Sequence, residues 1–537
     1  MKKTYLITTI IIFALAVAGC KKGFLDQSVN PNSPSSASPQ NILSGALQAA
    51  TTTTAGGTYL TFGIWCGYFS PSGSYVPSTN TTLYNFTNTS FNFFPTYYPN
   101  LANFNTLIQQ AAASPALANF GAIAKIMTAY DFEMLVDNYS DVPYFQALNS
   151  TKYLFPAYDP GQAIYNDLEL QLDAAIAMVN TSATNPGSSD IYFQGNMTGW
   201  IKFANFLKLR IAIRQSNIVA NKAALVTELA KTSNLGFLDD NTSVSCQPGY
   251  SLSDANGGQE APFYINWGVS AAGGLRPDYL QDVACTFYIN FMVGLNDTLR
   301  LKQVYQPTLL TTEPSGKVPP NNVSHIIGNT LGSSTNTSNA NTSFIGSGLS
   351  KGATMAQPIV LGSEACFLLS EAVLEGYIPG PASGTGSAQD YYQRGITASF
   401  VQLNVPNAAA AAATYYNQPI VDVNWTTSST APAPTGLAGV NGSAPAGTPL
   451  LRAIITQKYI SNIGFGFFES YNEYRRTGMP NLSGARSIAA GALGTGTAPN
   501  RVFFPSTEFQ TNTAAVSAEP TINIFTSLIF WARNINP

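Results

Sequence analysis

Apolar residues recur at helical spacing in separate blocks of this sequence, and that pattern restricts the fold more than any other feature. Apolar positions every three or four residues form one face of an α-helix. The blocks with this spacing begin at Ile42, Leu101, Ala122, Ile164, Trp200, Ala365, Tyr391 and Leu451. Sustained alternation of the kind that half-buried strands show is scarce. The sequence therefore predicts a mainly α-helical protein.

The ends of three blocks carry further signals. Ser38 or Asn41 is expected to cap the first helix, since short polar side chains accept hydrogen bonds from a helix's first N–H groups. The block from Ala122 is expected to end near Pro143, because proline cannot continue a helix. The last block is predicted to run as one stripe from Leu451 to Tyr474.

Long polar segments separate the helical blocks. Residues 51–100 and 233–274 mix Thr, Gly and Asn with many aromatics, whereas residues 314–356 and 406–449 have low complexity. The apolar content of 45% is enough for a large core. Helices that pair and stack between such segments indicate a solenoid-like array, although no strict repeat period is present. We predict a single domain over residues 41–537.

The N-terminus has the features of an export signal. Lys2 and Lys3 precede an apolar run over residues 5–17, and small residues follow before Cys20. The cysteine at that position resembles the lipobox of bacterial lipoproteins. We predict a signal peptide over residues 1–19 and a lipid anchor and polar tether over residues 20–40, with acyl chains on Cys20. An ordinary signal peptide followed by a chance cysteine is the alternative.

Charge and cysteine content exclude some classes of partner and bond. The net charge is −3 and charged residues are only 10%, so no basic surface for nucleic acid is expected. No later run reaches 18 apolar residues, which favours anchoring over a membrane span. Four cysteines remain besides Cys20, and none is in a CxxC pair. We interpret Cys66, Cys246, Cys285 and Cys366 as buried free thiols, with two disulfides as the alternative.

Short signatures occur in a fixed order along the helical blocks. The first are DNYSDVPYFQAL at residues 137–148 and WIKFANFLKLRIAIR at residues 200–214. SEACFLLSEA at residues 363–372, EYRRTGMP at residues 473–480 and RVFFP at residues 501–505 follow. In this order, behind a lipobox, they resemble the SusD/RagB family of outer-membrane nutrient-binding lipoproteins over nearly the whole chain.

The resemblance implies a fold, a location and partners. The fold is one of tetratricopeptide-like helix pairs packed against an irregular, loop-rich lobe. The location is the outer membrane, with the lipid-anchored protein facing the cell exterior. Acidic residues after the lipidated cysteine are few, with only Asp26 nearby, so the exterior face rests on the resemblance alone. The partner is a TonB-dependent transporter of the SusC type, to which the lipoprotein delivers a nutrient, most often an oligosaccharide or a peptide, unchanged.

The residue types that catalysis requires are sparse. His325 is the sole histidine and lies in a polar segment, so neither a His-based triad nor a histidine zinc site is expected. We predict that the protein is not an enzyme and needs no cofactor. Asp137, Asn138 and Asp141 offer oxygen ligands for calcium. Turn capping is the preferred interpretation, and no metal site is predicted.

Aromatic residues in the polar segments are the candidate ligand contacts. Sugar rings stack their C–H faces on flat aromatic side chains, while Asn, Gln and Arg side chains bind the hydroxyls. The candidates are Trp65, Tyr68, Tyr75, Tyr264 and Trp267. The alternative is that the tryptophans close the core beneath the loops.

Basic residues inside the signatures are given structural roles. Arg475 and Arg476 are expected to bind carbonyl groups at a helix C-terminus. A solvated or ion-paired helix face is expected for Lys202, Lys208, Arg210 and Arg214.

Other functions remain open at this stage. A peptide-binding or adhesive surface lipoprotein of the same fold would bind a protein and no glycan. A surface hydrolase would lose turnover when one carboxylate is neutralised. The sequence does not identify the cargo.

Overall fold

The computed structural model describes residues 37–240, 242–308, 325–380, 386–432, 449–494 and 497–535. The predicted signal peptide, Cys20 and most of the tether lie outside the described residues. The helices of the first half are α1 Pro39–Ala55, α2 Gly57–Trp65, α3 Thr79–Thr82, α4 Phe94–Ala113, α5 Ala118–Tyr139, α6 Gly161–Met178, α7 Met197–Arg214, α8 Lys222–Ala230, α9 Pro262–Trp267 and α10 Pro277–Gln281. Those of the second half are α11 Thr286–Gly294, α12 Thr298–Val304, α13 Gly362–Leu374, α14 Ala388–Gln402, α15 Ala408–Tyr416, α16 Trp425–Ser429, α17 Pro449–Ser461, α18 Phe467–Thr477, α19 Ser506–Thr511 and α20 Thr513–Ala518.

The strands are short and pair only two at a time. They are β1 Phe69–Pro71, β2 Val142–Pro143, β3 Tyr158–Asp159, β4 Val244–Cys246, β5 Asp282–Ala284 and β6 Gln357–Val360. The pairs β1–β5, β2–β3 and β4–β6 are all antiparallel. These short strand pairs connect loop segments. The prediction of a mainly α-helical protein is confirmed.

Consecutive helices pack side by side in two groups. In the first group α4 packs on α5, α5 on α6 and α6 on α7, and α1 covers α4. In the second group α13 packs on α14, α14 on α15 and α13 on α17. Contacts of α7 with α13 and of α18 with α2 join the groups into one apolar core. The segments between α8 and α13, which carry only short helices and strands, form the loop-rich part.

Helix α5 lies at the centre of the first group and is buried on every face over most of its length. It ends at Tyr139, where Ser140 takes a φ of 66°, and β2 follows. The expected stop near Pro143 is therefore right to within one turn. Ser38 caps α1, since its Oγ accepts a hydrogen bond from the Asn41 N–H at 3.3 Å.

The last apolar stripe is divided, contrary to the prediction of a single run. α17 ends at Ser461 and α18 begins at Phe467. Between them Gly464 takes a φ of 87°, and a Cβ there would lie 2.6 Å from Leu349 Cδ2. A left-handed residue ends an α-helix, so the apolar spacing continues across a break that glycine makes possible.

Basic side chains of α7 lie inside the core and not on a solvated face. Arg210 forms a bidentate pair with Glu133 on α5, at 2.8 and 2.7 Å, and its side chain is 3% exposed. Arg214 meets Asp137 at 3.0 Å and Glu469 at 2.8 Å. Lys208 is fully buried and pairs with Asp173 at 2.5 Å. The ion-paired expectation is confirmed for these three residues, and the solvated alternative is wrong because each meets carboxylates of neighbouring helices. Lys202 remains partly exposed.

Helix α18 continues this buried ionic network. Arg476 binds Glu371 on α13 through two hydrogen bonds of 2.7 and 2.8 Å. Arg475 donates to the carbonyl oxygens of Asp137 and Asn500 at 2.6 and 3.1 Å, neither of which is in α18. The expectation that Arg475 and Arg476 bind the carbonyl groups at the end of their own helix is therefore wrong, because packing against neighbouring segments gives them other acceptors. Burial by itself raises the pKa of Glu469. The positive charges of Arg214, Arg210 and Lys458 outweigh burial and lower the pKa to about 2. The network therefore joins α5, α7, α13 and α18 through pairs of arginine and carboxyl groups that are hidden from water.

All four described cysteines are free and buried, which confirms the interpretation as thiols. Asp137 accepts hydrogen bonds from Tyr165 and Trp531 at 2.5 and 2.9 Å. Asp141 accepts one from the Gly161 N–H at 2.8 Å. These carboxylates therefore hold the core and the turn after α5.

Asp131 on α5 makes stability depend on pH. Its carboxyl is fully buried, and Oδ2 accepts a hydrogen bond from Asn100 at 3.2 Å. Burial raises its pKa to about 8, against a smaller lowering by Asn100. The folded chain therefore keeps a proton that the unfolded chain releases near its ordinary pKa of 3.8. Stability from this group is full below that ordinary pKa and is lost as pH rises to about 8.

We expect Asp131→Asn to remove that loss, which amounts to about 1.4 kcal/mol per pH unit between the two pKa values. In urea unfolding, the variant should match the parent at about pH 3, below the ordinary pKa, and be the more stable at pH 8.5. The same change at Asp390, an exposed residue of α14, should keep the parent's pH profile. Identical profiles for Asp131→Asn and the parent would show that the buried carboxyl does not bind the extra proton.

Candidate functional site

Trp65 is the last residue of α2, and its indole is buried. Nε1 donates to the Thr81 carbonyl oxygen at 3.3 Å. The ring packs on Phe62 and Phe86 with centroid distances of 5.6 and 5.5 Å, and only 3% of the residue is exposed. The surrounding rings leave no free face for a sugar.

Tyr68 and Trp267 are also core residues. The Tyr68 ring stacks on Tyr459 at 4.7 Å, and its hydroxyl donates to the Tyr459 carbonyl oxygen at 2.5 Å. Trp267 donates to Asp282 Oδ2 at 3.0 Å and packs on Phe263 at 4.7 Å. The structure places both beneath the loops, as the alternative interpretation describes for tryptophan. Ligand contact by these residues and Trp65 stays a prediction, and their covered ring faces weigh against it.

Tyr75 and Tyr264 reach the surface to different extents. Tyr75 follows β1 and is 37% exposed. Tyr264 on α9 is partly exposed, and its ring lies against Gly268, where a Cβ would come within 2.6 Å of it. Tyr75 lines an open cleft, whereas Trp267 lines a much smaller cavity of about 40 Å³.

That cleft, called the Tyr75 cleft below, has a volume of about 380 Å³. It lies between α2, the segment after β1 and α10. Its lining includes Thr58, Thr61, Tyr75, Val76, Ser78, Asn80, Asp278, Gln281 and Asp282. Flat aromatic and apolar surface thus stands beside hydroxyl, amide and carboxylate groups, which is the composition of sites that bind small polar ligands.

Pairing of β1 with β5 brings the two walls of the cleft together. Ser70 aligns with Val283, and the Ser72 N–H donates to the Gln281 carbonyl oxygen at 2.7 Å. The segment after β1 is then held by Gly73, whose N–H donates to the Thr337 carbonyl oxygen at 2.9 Å. A Cβ on Gly73 would lie 2.3 Å from the Asn336 carbonyl oxygen, so this close approach requires glycine.

Two carboxyl groups, those of Asp278 and Asp282, line the cleft. Burial raises the pKa of Asp278. Burial also raises the pKa of Asp282, to about 7, against a lowering by the Trp267 hydrogen bond, and the Asp278 charge adds to the rise. No lysine or arginine is among the lining residues. These carboxylates can accept hydrogen bonds from ligand hydroxyl or ammonium groups.

Two other cavities open on the surface. One of about 560 Å³ lies between α1 and the segment over residues 248–266, and Gln48, Tyr250 and Glu260 line it. It borders the Tyr75 cleft at the junction of α1 and α2. The other, of about 550 Å³, is largely apolar and is lined by Phe86, Phe503 and Phe509 among others.

The described residues offer no metal site. No group of three or more His, Cys, Asp or Glu side chains is arranged to hold an ion in the described ranges. The densest set of carboxylates is the buried network of α5, α7, α13 and α18, where arginine and lysine pair with it.

Sequence reasoning identified Tyr75 but missed Asn80, Asp278 and Gln281. Asp278 and Gln281 lie about 200 positions beyond Tyr75, and only the β1–β5 pairing brings them close. A proline before an acid at residues 277–278 does predict a helix start. That signal does not indicate that the helix lines a cleft.

Comparison with known proteins identifies similar sequences and folds. The sequence model of the SusD-like family, described as "Starch-binding associating with outer membrane", matches residues 31–505. A solved chitin-binding protein shares 23% identity and a TM-score of 0.65, covering 89% of this chain and 95% of its own. A chitin-binding SusD homologue from Flavobacterium johnsoniae shares 22% identity and a TM-score of 0.63, covering 88% and 94%. A SusD homologue from Bacteroides uniformis shares 22% identity and a TM-score of 0.66, covering 92% and 99%.

No curated protein matches the chain. None of the helices in the described part of the chain is both long and apolar enough to cross a bilayer.

Proposed function

Because this chain belongs to the SusD-like family, whose members are binding proteins associated with the outer membrane, we propose that it captures a glycan and passes it on without catalysis. The Tyr75 cleft is the proposed capture site. The single observation that carries this assignment is the exposed Tyr75 ring in a cleft with amide and carboxylate side chains.

The lining of the cleft suits a carbohydrate. A tyrosine ring stacks on the C–H face of a sugar, and Val76 extends the apolar surface, being 97% exposed. Asn80 and Gln281 each offer donors and an acceptor to hydroxyl groups, and Asp278 offers acceptors. The volume of about 380 Å³ falls within the range of roughly 300–1,000 Å³ for small-ligand sites.

Calorimetry of the full-length chain in detergent tests the assignment. The panel contains oligomers of glucose in α-1,4 and β-1,4 linkage, oligomers of N-acetylglucosamine, and peptides of similar length. We expect at least one neutral oligosaccharide to bind, and the peptides to be inert. Binding of peptides alone would support the peptide-binding alternative, and binding of nothing in the panel would oppose the assignment.

The largely apolar cavity lined by Phe503 and Phe509 is the feature that favours the peptide alternative. Phe509 is 44% exposed, and apolar peptide side chains fit such a surface. We rank this second because aromatic and hydrogen-bonding groups converge at the Tyr75 cleft instead.

Delivery requires a partner, and we propose a TonB-dependent transporter of the SusC type. Family membership supports the outer-membrane setting. Purification from gently solubilised membranes should recover a large β-barrel protein in stoichiometric amount. Recovery of the chain alone at low detergent would oppose the partnership.

Anchoring through Cys20 has its own test. We expect the native chain to partition into the detergent phase of Triton X-114 and to carry acyl chains in mass spectrometry, since two or more chains bind a bilayer stably. Cys20→Ser should move most of the protein to the aqueous phase. Equal partition of the two forms, with no lipid mass on the native chain, would contradict the anchor.

A further inference from the structure

We propose that the Tyr75 cleft selects its glycan by charge, taking amino sugars with a free ammonium group in preference to neutral sugars and rejecting uronates. The inference rests on the proposed function and adds the class of sugar. Its basis is Asp278, a carboxylate in the cleft wall without a countercharge.

Asp278 has no protein partner in the described part of the chain. No hydrogen bond or ion pair to its carboxylate occurs there, although it is only partly exposed. The nearest cation in the sequence is Arg276, which instead binds Asp254 at 2.7 Å and Glu260 at 2.8 Å. The carboxylate is therefore left for a ligand or for water.

Its position is suited to a ligand in the cleft. A Cβ on Gly57 would lie 4.0 Å from Asp278 Oδ2, so the carboxylate faces the start of α2 across the cleft. No lysine or arginine lines the cleft, and Asp282 in the same wall is already bound by Trp267. A ligand ammonium would gain a charge-assisted hydrogen bond there, whereas a ligand carboxylate would meet like charge.

Several carboxylates elsewhere in the described part of the molecule have a cationic partner, unlike Asp278. Within the ionic network of the core, Glu133 is paired with Arg210 and Glu371 with Arg476. On the surface Asp390 lies 3.6 Å from Arg394. A carboxylate that is half withdrawn from water and unpaired costs stability unless a ligand uses it.

The test compares three β-1,4-linked tetramers at pH 6, composed of glucosamine, glucose and glucuronate. We expect the full-length chain to bind the glucosamine tetramer about tenfold more tightly than the glucose tetramer and the glucuronate tetramer least, as one charge-assisted contact implies. Asp278→Asn keeps the shape of the side chain and should reduce the tenfold preference to twofold or less. Asp390→Asn is the control of equal charge change and should retain the preference.

The outcomes separate this inference from the proposed function. Charge selection is overturned if the glucosamine tetramer does not bind, or if the three tetramers bind with equal affinity. The proposed function is tested separately, by calorimetry with the panel of neutral oligosaccharides and peptides. If Asp278 serves only to stabilise the start of α2, Asp278→Asn lowers the melting temperature and leaves the preference unchanged, which also overturns it. A salt series on the unsubstituted chain is a second measurement, since the preference should shrink between 50 and 500 mM NaCl if charge causes it.

Discussion

Replacing Arg214 by methionine is expected to destabilise the fold by about 3–5 kcal/mol, because it leaves buried carboxylates without their cation. Arg214 is 1% exposed, binds Asp137 at 3.0 Å and Glu469 at 2.8 Å, and lies over the Trp531 ring at 5.3 Å. Methionine fills most of the space but supplies no charge. Two carboxylates from different helices would then face one another in a medium that solvates neither.

Urea unfolding followed by circular dichroism measures the effect. The matched control is Lys231→Met, because the Lys231 side chain is 47% exposed and pairs with Glu228 at 2.5 Å. An exposed pair of this kind contributes about 0–1 kcal/mol. A loss for Arg214→Met no greater than that of the control would mean that the network on α5, α7 and α18 does not hold the helices together.

Replacing Tyr75 by alanine is expected to weaken glycan binding by about ten- to hundredfold, which corresponds to about 1.4–2.8 kcal/mol. The ring supplies the flat face on which a sugar stacks, and its exposed position keeps its removal from disturbing the core. The melting temperature should change little. Calorimetry with the tightest neutral oligosaccharide of the panel gives the comparison.

Two controls fix the meaning of that result. Phe155→Ala removes another exposed aromatic ring, 64% exposed between β2 and β3, and should leave affinity unchanged. Trp65→Phe alters a buried candidate ring and should lower stability more than affinity. Affinity that follows Trp65 and ignores Tyr75 would show that the cleft opens in a way this structure does not display.

The helical body was predictable from the sequence because its signals are local. Apolar spacing predicted the helices, and Ser38 was predicted to cap the first of them. The order of the short signatures indicated the family. Gly464 shows the limit of such signals, since apolar spacing runs across a break set by one left-handed residue. A side chain at that position would also collide with Leu349, which is far away in sequence.

The candidate site was less predictable because long-range packing creates it. The sequence assigned Trp65 to a loop, because a segment rich in Thr and Gly gives no clear signal for a short helix. In the structure Trp65 is the last residue of α2 and packs in the core. Asp278 gives no sequence signal for a site. In the structure its carboxylate is unpaired because Arg276, the nearest cation in the sequence, binds Asp254 and Glu260 instead. Burial and pairing are properties of the assembled chain, so ring exposure and charge balance had to come from the structure.

The most direct test of the central claim is a crystal structure of the chain with a bound oligosaccharide from the panel. We predict a sugar ring stacked on Tyr75, with its hydroxyl groups within hydrogen-bond distance of Asn80, Asp278 or Gln281. Sugar bound only in the cavity lined by Phe503 and Phe509, with the Tyr75 cleft holding none, would contradict the account.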